Sequence, residues 1–127
     1  MHDDDLLAAP GPSPVPRDLD TLNVRDMLEE AARAVPHETF LIHGQESTSY
    51  REFNRRVDMA ARAWHELGVR KGDRVAFMLE NRPEFLQAWL GLAKIGAILV
   101  ALNTRWQAAE AAQFLALTEP RLALVSE

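Results

Sequence analysis

A chain of 127 residues with 47% hydrophobic and 26% charged side chains has the make-up of one soluble globular domain, large enough for a core but small for an enzyme of two substrates. It has no cysteine, which excludes disulfides, thiolate metal sites and a cysteine nucleophile and fits a cytoplasmic protein. The net charge of −5 sits mostly at the start: Asp3, Asp4, Asp5, Asp18 and Asp20 against Arg17 leave −4 before Thr21, and the remaining 13 basic and 14 acidic side chains leave −1. So neutral a body gives no electrostatic basis for binding nucleic acid or an anionic membrane.

Residues 1–20 carry the acidic run and Pro10-Gly11-Pro12-Ser13-Pro14-Val15-Pro16. They are expected to form a flexible acidic, proline-rich leader, because prolines remove donors and no apolar stripe can form. The opening Met1-His2-Asp3-Asp4-Asp5 does not read as a secretory or mitochondrial leader. No apolar run anywhere is long enough to span a bilayer, so any membrane association would be peripheral.

Regular structure is expected from Asn23, a good N-cap, with Val24, Met27, Leu28, Ala31 and Val35 at helical spacing before Pro36. Thr39-Phe40-Leu41-Ile42-His43 reads as a short strand, turned by Gly44-Gln45. Ser49-Tyr50-Arg51-Glu52 then has the form of a capping box. Behind it Tyr50, Phe53, Val57, Ala60, Ala61, Trp64 and Leu67 mark the apolar face of a helix that Gly68 closes.

Residues 74–79 form an apolar run of strand length. Asn81 is placed to cap the next helix, with Pro83 in its first turn and Gly96 beyond its end. Phe85, Leu86, Trp89, Leu90, Leu92 and Ala93 leave that helix only a narrow polar side, so it should be mostly buried. A second apolar strand covers 97–102, a helix 106–117, and a third strand 122–125. Strands that do not alternate, separated by helices, predict a parallel, doubly wound βαβαβ unit of the α/β class.

Self-contained chemistry is hard to find along this chain. Gly11, Gly44, Gly68, Gly72, Gly91 and Gly96 form no phosphate-cradling loop, and neither G-x-S-x-G nor H-E-x-x-H occurs. His2, His37, His43 and His65 have no metal-site spacing. Glu29 with Glu30, and Glu80 with Glu84, read as acids of helix starts and solvated faces rather than as catalytic pairs. Trp64 and Trp89 fall on apolar faces and read as core. The best-placed polar cluster is Asn103-Thr104-Arg105-Trp106, at the carboxyl end of a parallel strand, where ligands of such sheets gather. Position alone leaves Arg105 equally readable as an ordinary exposed arginine.

Several stretches together carry a resemblance: Thr48-Ser49-Tyr50-Arg51-Glu52-Phe53, Leu67-Gly68-Val69-Arg70-Lys71-Gly72-Asp73-Arg74-Val75, Glu80-Asn81-Arg82-Pro83-Glu84-Phe85, and Trp89-Leu90-Gly91-Leu92-Ala93-Lys94-Ile95-Gly96-Ala97. In this order and spacing the chain resembles the N-terminal portion of the adenylate-forming enzymes, over about residues 23–127. Leu102-Asn103-Thr104 is more similar to acyl-CoA synthetases than to peptide-synthetase adenylation domains. The Asn-Arg-Pro-Glu-Phe stretch is most like fatty-acid-transport-type, very-long-chain acyl-CoA synthetases and carnitine-CoA ligases.

The resemblance implies that residues 21–127 form the first α/β subdomain, incomplete, of a large N-terminal domain. It implies a complete enzyme that joins a fatty acid or other carboxylate to CoA through an acyl-adenylate, using ATP, Mg²⁺ and CoA. It also implies that Arg105 contacts the CoA nucleotide phosphate, a role suited to a permanently charged, forked donor. No catalytic residue and no metal ligand can be carried over, since the family's phosphate loop, adenine-binding motif, ribose-binding aspartate and C-terminal-domain lysine match nothing in residues 1–127. The chain is therefore expected to be a portion of a longer protein and inactive by itself. The competing expectation is a non-catalytic α/β interaction module that covers its exposed sheet surface with a partner or, as a homodimer, with a second copy.

Overall fold

A computed structural model of the protein describes residues 23–126; the expected leader, and His2 within it, lie outside them. The chain starts with α1 (Val24–Ala34), a hairpin of β1 (Thr39–His43) and β2 (Glu46–Ser49), and the long α2 (Tyr50–Glu66). There follow β3 (Arg74–Met78), α3 (Pro83–Lys94), β4 (Ile98–Ala101), α4 (Ala108–Thr118) and β5 (Leu122–Val125).

The expected βαβαβ unit is present. β3 lies between β4 and β5 and pairs in parallel with both, Ala76 facing Val100 on one side and Ala123 on the other. Alternate residues of β3 divide the core. Val75 and Phe77 point into a cluster with Trp64, Val69 and Leu92, against which Phe85 and Ala88 of α3 pack. Ala76 joins Val100 and Leu102 under Ala111, Phe114 and Leu115 of α4. The two crossover helices therefore cover opposite faces of the sheet, and the unit is doubly wound.

α2 and α3 pack tightly because Gly91 lets them. A Cβ built on Gly91 would stand 2.8 Å from the Ala60 Cβ and 2.9 Å from the Ala61 backbone nitrogen. The Trp64 indole N–H spans the same junction to the Ala88 carbonyl, at 2.9 Å. A third cluster, Leu28, Phe53 and Val57, seats α1 and the hairpin on α2 with Phe40, Leu41, Leu86 and Leu90 around it.

Helix ends follow the sequence in part. The Asn23 side chain accepts from the Asp26 N–H, and Gly68, at φ +87°, follows the last turn of α2 in the left-handed conformation a C′ residue needs. At the start of α2 only half of the expected capping box forms. Ser49 Oγ accepts from the Glu52 N–H, but the Glu52 carboxylate turns outward to Arg55 and Arg56, where three charge-assisted bonds outcompete one backbone amide.

Other expectations are corrected. β2 was not foreseen, because Glu46-Ser47-Thr48-Ser49 has no apolar alternation and is held by backbone pairing to β1. The cap of α3 is Arg82, without a side-chain hydrogen bond, rather than Asn81. α3 is half-buried over most of its length, with only Gly91 and Leu92 buried. Trp89 is 40% exposed, while Trp64 is in the core as expected. α4 starts two residues later than expected, which leaves Trp106 in the preceding loop.

Candidate functional site

Because α3 and α4 leave the sheet on opposite faces, the segments that follow β3 and β4 diverge at the carboxyl ends of the strands. Such a divergence opens the crevice in which parallel sheets hold ligands. Residues 79–82 follow β3 and residues 103–107 follow β4, with Ser126 beyond β5.

The segment after β4 is fixed by Asn103. Its side-chain oxygen accepts from the Arg105 N–H at 2.9 Å, and its carbonyl accepts from the Trp106 N–H at 3.1 Å. This turn puts the indole of Trp106 edge-on to Phe114, ring centres 5.1 Å apart, in the cluster under α4. Trp106 is thus an anchor. Arg105, one residue earlier, is exposed, and among the described residues no side chain pairs with its guanidinium. A rigid turn carrying an outward cation is suited to a phosphate.

The segment after β3 is lined differently. Arg82 donates to Glu80 Oε2 at 3.4 Å, and both side chains are about two-thirds exposed. A groove of about 470 Å³ runs from Glu80, Arg82 and Glu84 to Ser126. A second, mainly apolar groove of about 320 Å³ lies between β1 and the start of α3. Neither is lined by Arg105, so the sequence-singled loop and the grooves are separate features.

Most other candidates fall to structural roles. Glu29 lies 3.1 Å from Lys94 Nζ and 3.4 Å from Arg25 Nε. His37, His43 and His65 are exposed on separate elements. Among the described residues no three His, Asp or Glu side chains are grouped to hold a metal ion. These residues do not fit a Mg²⁺ site. The one strongly shifted acid among the described residues, Glu52, is held down to about 2 by hydrogen bonds from Arg55 and then Arg56, and it sits on the exposed face of α2 as a partner in surface ion pairs.

Sequence reasoning missed Lys94. Its side chain is 6% exposed, and its ammonium donates to Glu29 Oε1 at 3.1 Å, Asn54 Oδ1 at 2.7 Å and Asp58 Oδ1 at 2.7 Å. All three donors are used, and α1, α2 and α3 are joined at one point. The partners are 36, 40 and 65 positions away in sequence, so no local pattern could have found them.

Residues 28–127 match the family described as AMP-binding enzyme. The chain belongs to that family. Among curated relatives, it is 39% identical over 109 residues to a crotonobetaine/carnitine–CoA ligase of Salmonella paratyphi A, covering 82% of this chain and 21% of the relative. Among solved structures, NpsA-ThdA, an artificially fused adenylation–PCP di-domain from Klebsiella oxytoca, superposes with a TM-score of 0.80 at 28% identity, covering 83% of this chain and 20% of that one. A Mycobacterium tuberculosis fatty acyl CoA synthetase gives a TM-score of 0.78 at 30% identity over 81% of this chain and 21% of its own. The chain spans about a fifth of the length of the curated relatives it matches. As a member of the AMP-binding family it has the fold that its motifs implied. That fold is shared by an adenylation domain and an acyl-CoA synthetase, so it does not choose between them.

Proposed function

We propose that this chain is the first α/β subdomain, residues 21–127, of an AMP-forming acyl-CoA ligase, and that by itself it is inactive. The observation that carries the reading is the family match over residues 28–127 together with 39% identity to a CoA ligase. The complete enzyme would activate a fatty acid or related carboxylate with ATP, assisted by Mg²⁺, and pass the acyl group to CoA. On this reading the triphosphate and the metal would be held by parts of the enzyme outside residues 21–127, so no chemical step is assigned to these residues.

Their contribution is binding. Arg105, presented by the Asn103 turn, would hold a nucleotide phosphate of CoA at the carboxyl end of β4. Bound CoA would supply the thiol that accepts the acyl group, and Arg105 would neutralise charge remote from it.

Carboxylate-dependent ATP–pyrophosphate exchange tests the reading. The 127-residue chain should give none above the protein-free rate; measurable exchange would overturn its assignment as inactive. A protein extended through the rest of its gene should exchange and form acyl-CoA, and failure with every fatty acid and small carboxylate tried would remove the ligase reading. In that protein Arg105→Gln should raise KM for CoA roughly tenfold, the loss of about one charge-assisted bond, with KM for ATP unchanged. An unchanged KM for CoA would dismiss Arg105.

A second reading, a non-catalytic module that dimerises through its exposed sheet surface, is favoured by Val125 of β5 at 59% exposure. A monomer by light scattering would remove it.

A further inference from the structure

β4 is an outer strand of the parallel sheet: β3 lies on one side of it and, among the described residues, no strand lies on the other. The N–H groups of Ile98 and Leu102 donate to the Asp73 and Phe77 carbonyls, each at 2.8 Å. Backbone groups alternate in direction along a strand, so the N–H and C=O of Leu99 and Ala101 point away from β3. Among the described residues these two N–H groups meet no acceptor.

Proteins usually blunt such an edge with a charge, a proline or a bulge. β4 has none of the three. From Ile95 to Thr104 the chain carries no charged side chain and no proline, the ladder to β3 runs in unbroken register, and Ile98 stands 49% exposed. The opposite edge differs, since β5 is preceded by Pro120 and by Arg121, which lies 3.8 Å from Asp73.

We propose that β4 pairs with β4 of a second copy of this chain, antiparallel about a two-fold axis at Val100, making one six-stranded sheet. A strand that meets its own copy across a two-fold axis is necessarily antiparallel. The register follows from the groups that are free. At the two ends Ala97 N–H already donates to the Leu92 carbonyl and the Asn103 carbonyl already accepts from Trp106. Leu99 of each copy therefore faces Ala101 of the other, and the two pairs exchange four N–H···O=C bonds. On the α4 side of the sheet, Ile98 then covers its exposed surface against the second copy's Leu102. Charge does not oppose the approach, because the chain from Thr21 onward carries only −1. Four residues give a contact about 13 Å long, and an interface built on it buries roughly 1,000 Å² or less in total, the size of a transient one. The pairing depends neither on the ligase reading nor on the exposed surface of β5.

Sedimentation equilibrium of the 127-residue chain should show monomer and dimer exchanging with a Kd of about 10–1,000 µM. In the dimer an NOE should join Ile98 Hα to Leu102 Hα, which are directly opposite across the two-fold axis but about 13 Å apart within one strand. Ala101→Pro removes an N–H that β3 does not use, so the amide spectrum of α3 and α4 should persist while the dimer is lost. Ile98→Lys tests the same contact without altering the backbone and should raise Kd about tenfold. Val125→Lys, on the other edge, should leave Kd unchanged. A monomer at every concentration, species larger than a dimer, a dimer without the Ile98–Leu102 NOE, a dimer that withstands Ile98→Lys, or one that Val125→Lys dissociates would each overturn the proposal. The last result would favour the module reading through β5 instead.

Discussion

On the α3 side of the three-stranded sheet Val69, Val75, Phe77 and Leu92 are fully buried, whereas on the other side no residue of α4 is buried and Leu117 stands 79% exposed. Both helices arise from the same kind of crossover, so topology does not explain the contrast. Layering does. α3 is held between the sheet and α2, and must be apolar on two sides; α4, among the described residues, is covered by the sheet on one side alone. Its sequence agrees, since Ala108, Ala109, Ala111, Ala112 and Ala116 bring little area to bury.

The largest test of that contrast compares two phenylalanines. Phe77→Ala should cost about 3–5 kcal/mol, whereas Phe114→Ala, half-buried on the sheet side of α4, should cost less than half as much. Urea denaturation of both variants measures this, and equal losses would remove the distinction between the faces. Next in size is Lys94. Replacing it with Met strands Glu29 and Asp58 beside each other's charge. Stranding a fully buried partner would cost about 3–5 kcal/mol, but these acids keep 35% and 45% of their side-chain exposure, which reduces the figure to about 1–2 kcal/mol. Hydrogen exchange should show α1 loosening first, and Asp58→Asn in the same chain should return part of the loss.

The smallest effect concerns Glu52 on the open face of α2. Its carboxyl is depressed to about 2 by Arg55 and Arg56, so the contribution of these contacts is complete above the ordinary carboxylate value of about 4.5 and disappears as pH falls toward 2. Carboxyl ¹³C shifts followed through acid should show the Glu52 midpoint at about 2. Arg55→Gln should bring its midpoint up, with little change in stability at neutral pH because both partners are exposed.

How much of this was legible in the sequence depended on whether the cause was local. The Asn23 cap, the faces of α2, the Gly68 stop and the three parallel strands depend on residues within a turn or a strand of one another, and all were readable. β2 was not, since its polar residues are ordered by pairing with β1. Trp89 was misplaced because an apolar stripe does not say how far round the helix its neighbours reach. Of the candidate site, the Asn103–Trp106 loop was found by its place after a strand. The apolar groove and the Lys94 junction, built from elements far apart in sequence, needed the coordinates.

The contact at Gly91 has a consequence for how this protein tolerates change. Because the α2 backbone stands where a Cβ would go, hydrophobicity is no guide at this position: alanine, valine and leucine should all be rejected, for bulk rather than polarity. Any of them would have to lever α3 away from α2 and carry the attached Arg82–Phe85 segment with it. A single hydrogen atom thereby acts as the gauge that sets the distance from helix pair to groove, and a random library at residue 91 should return one amino acid.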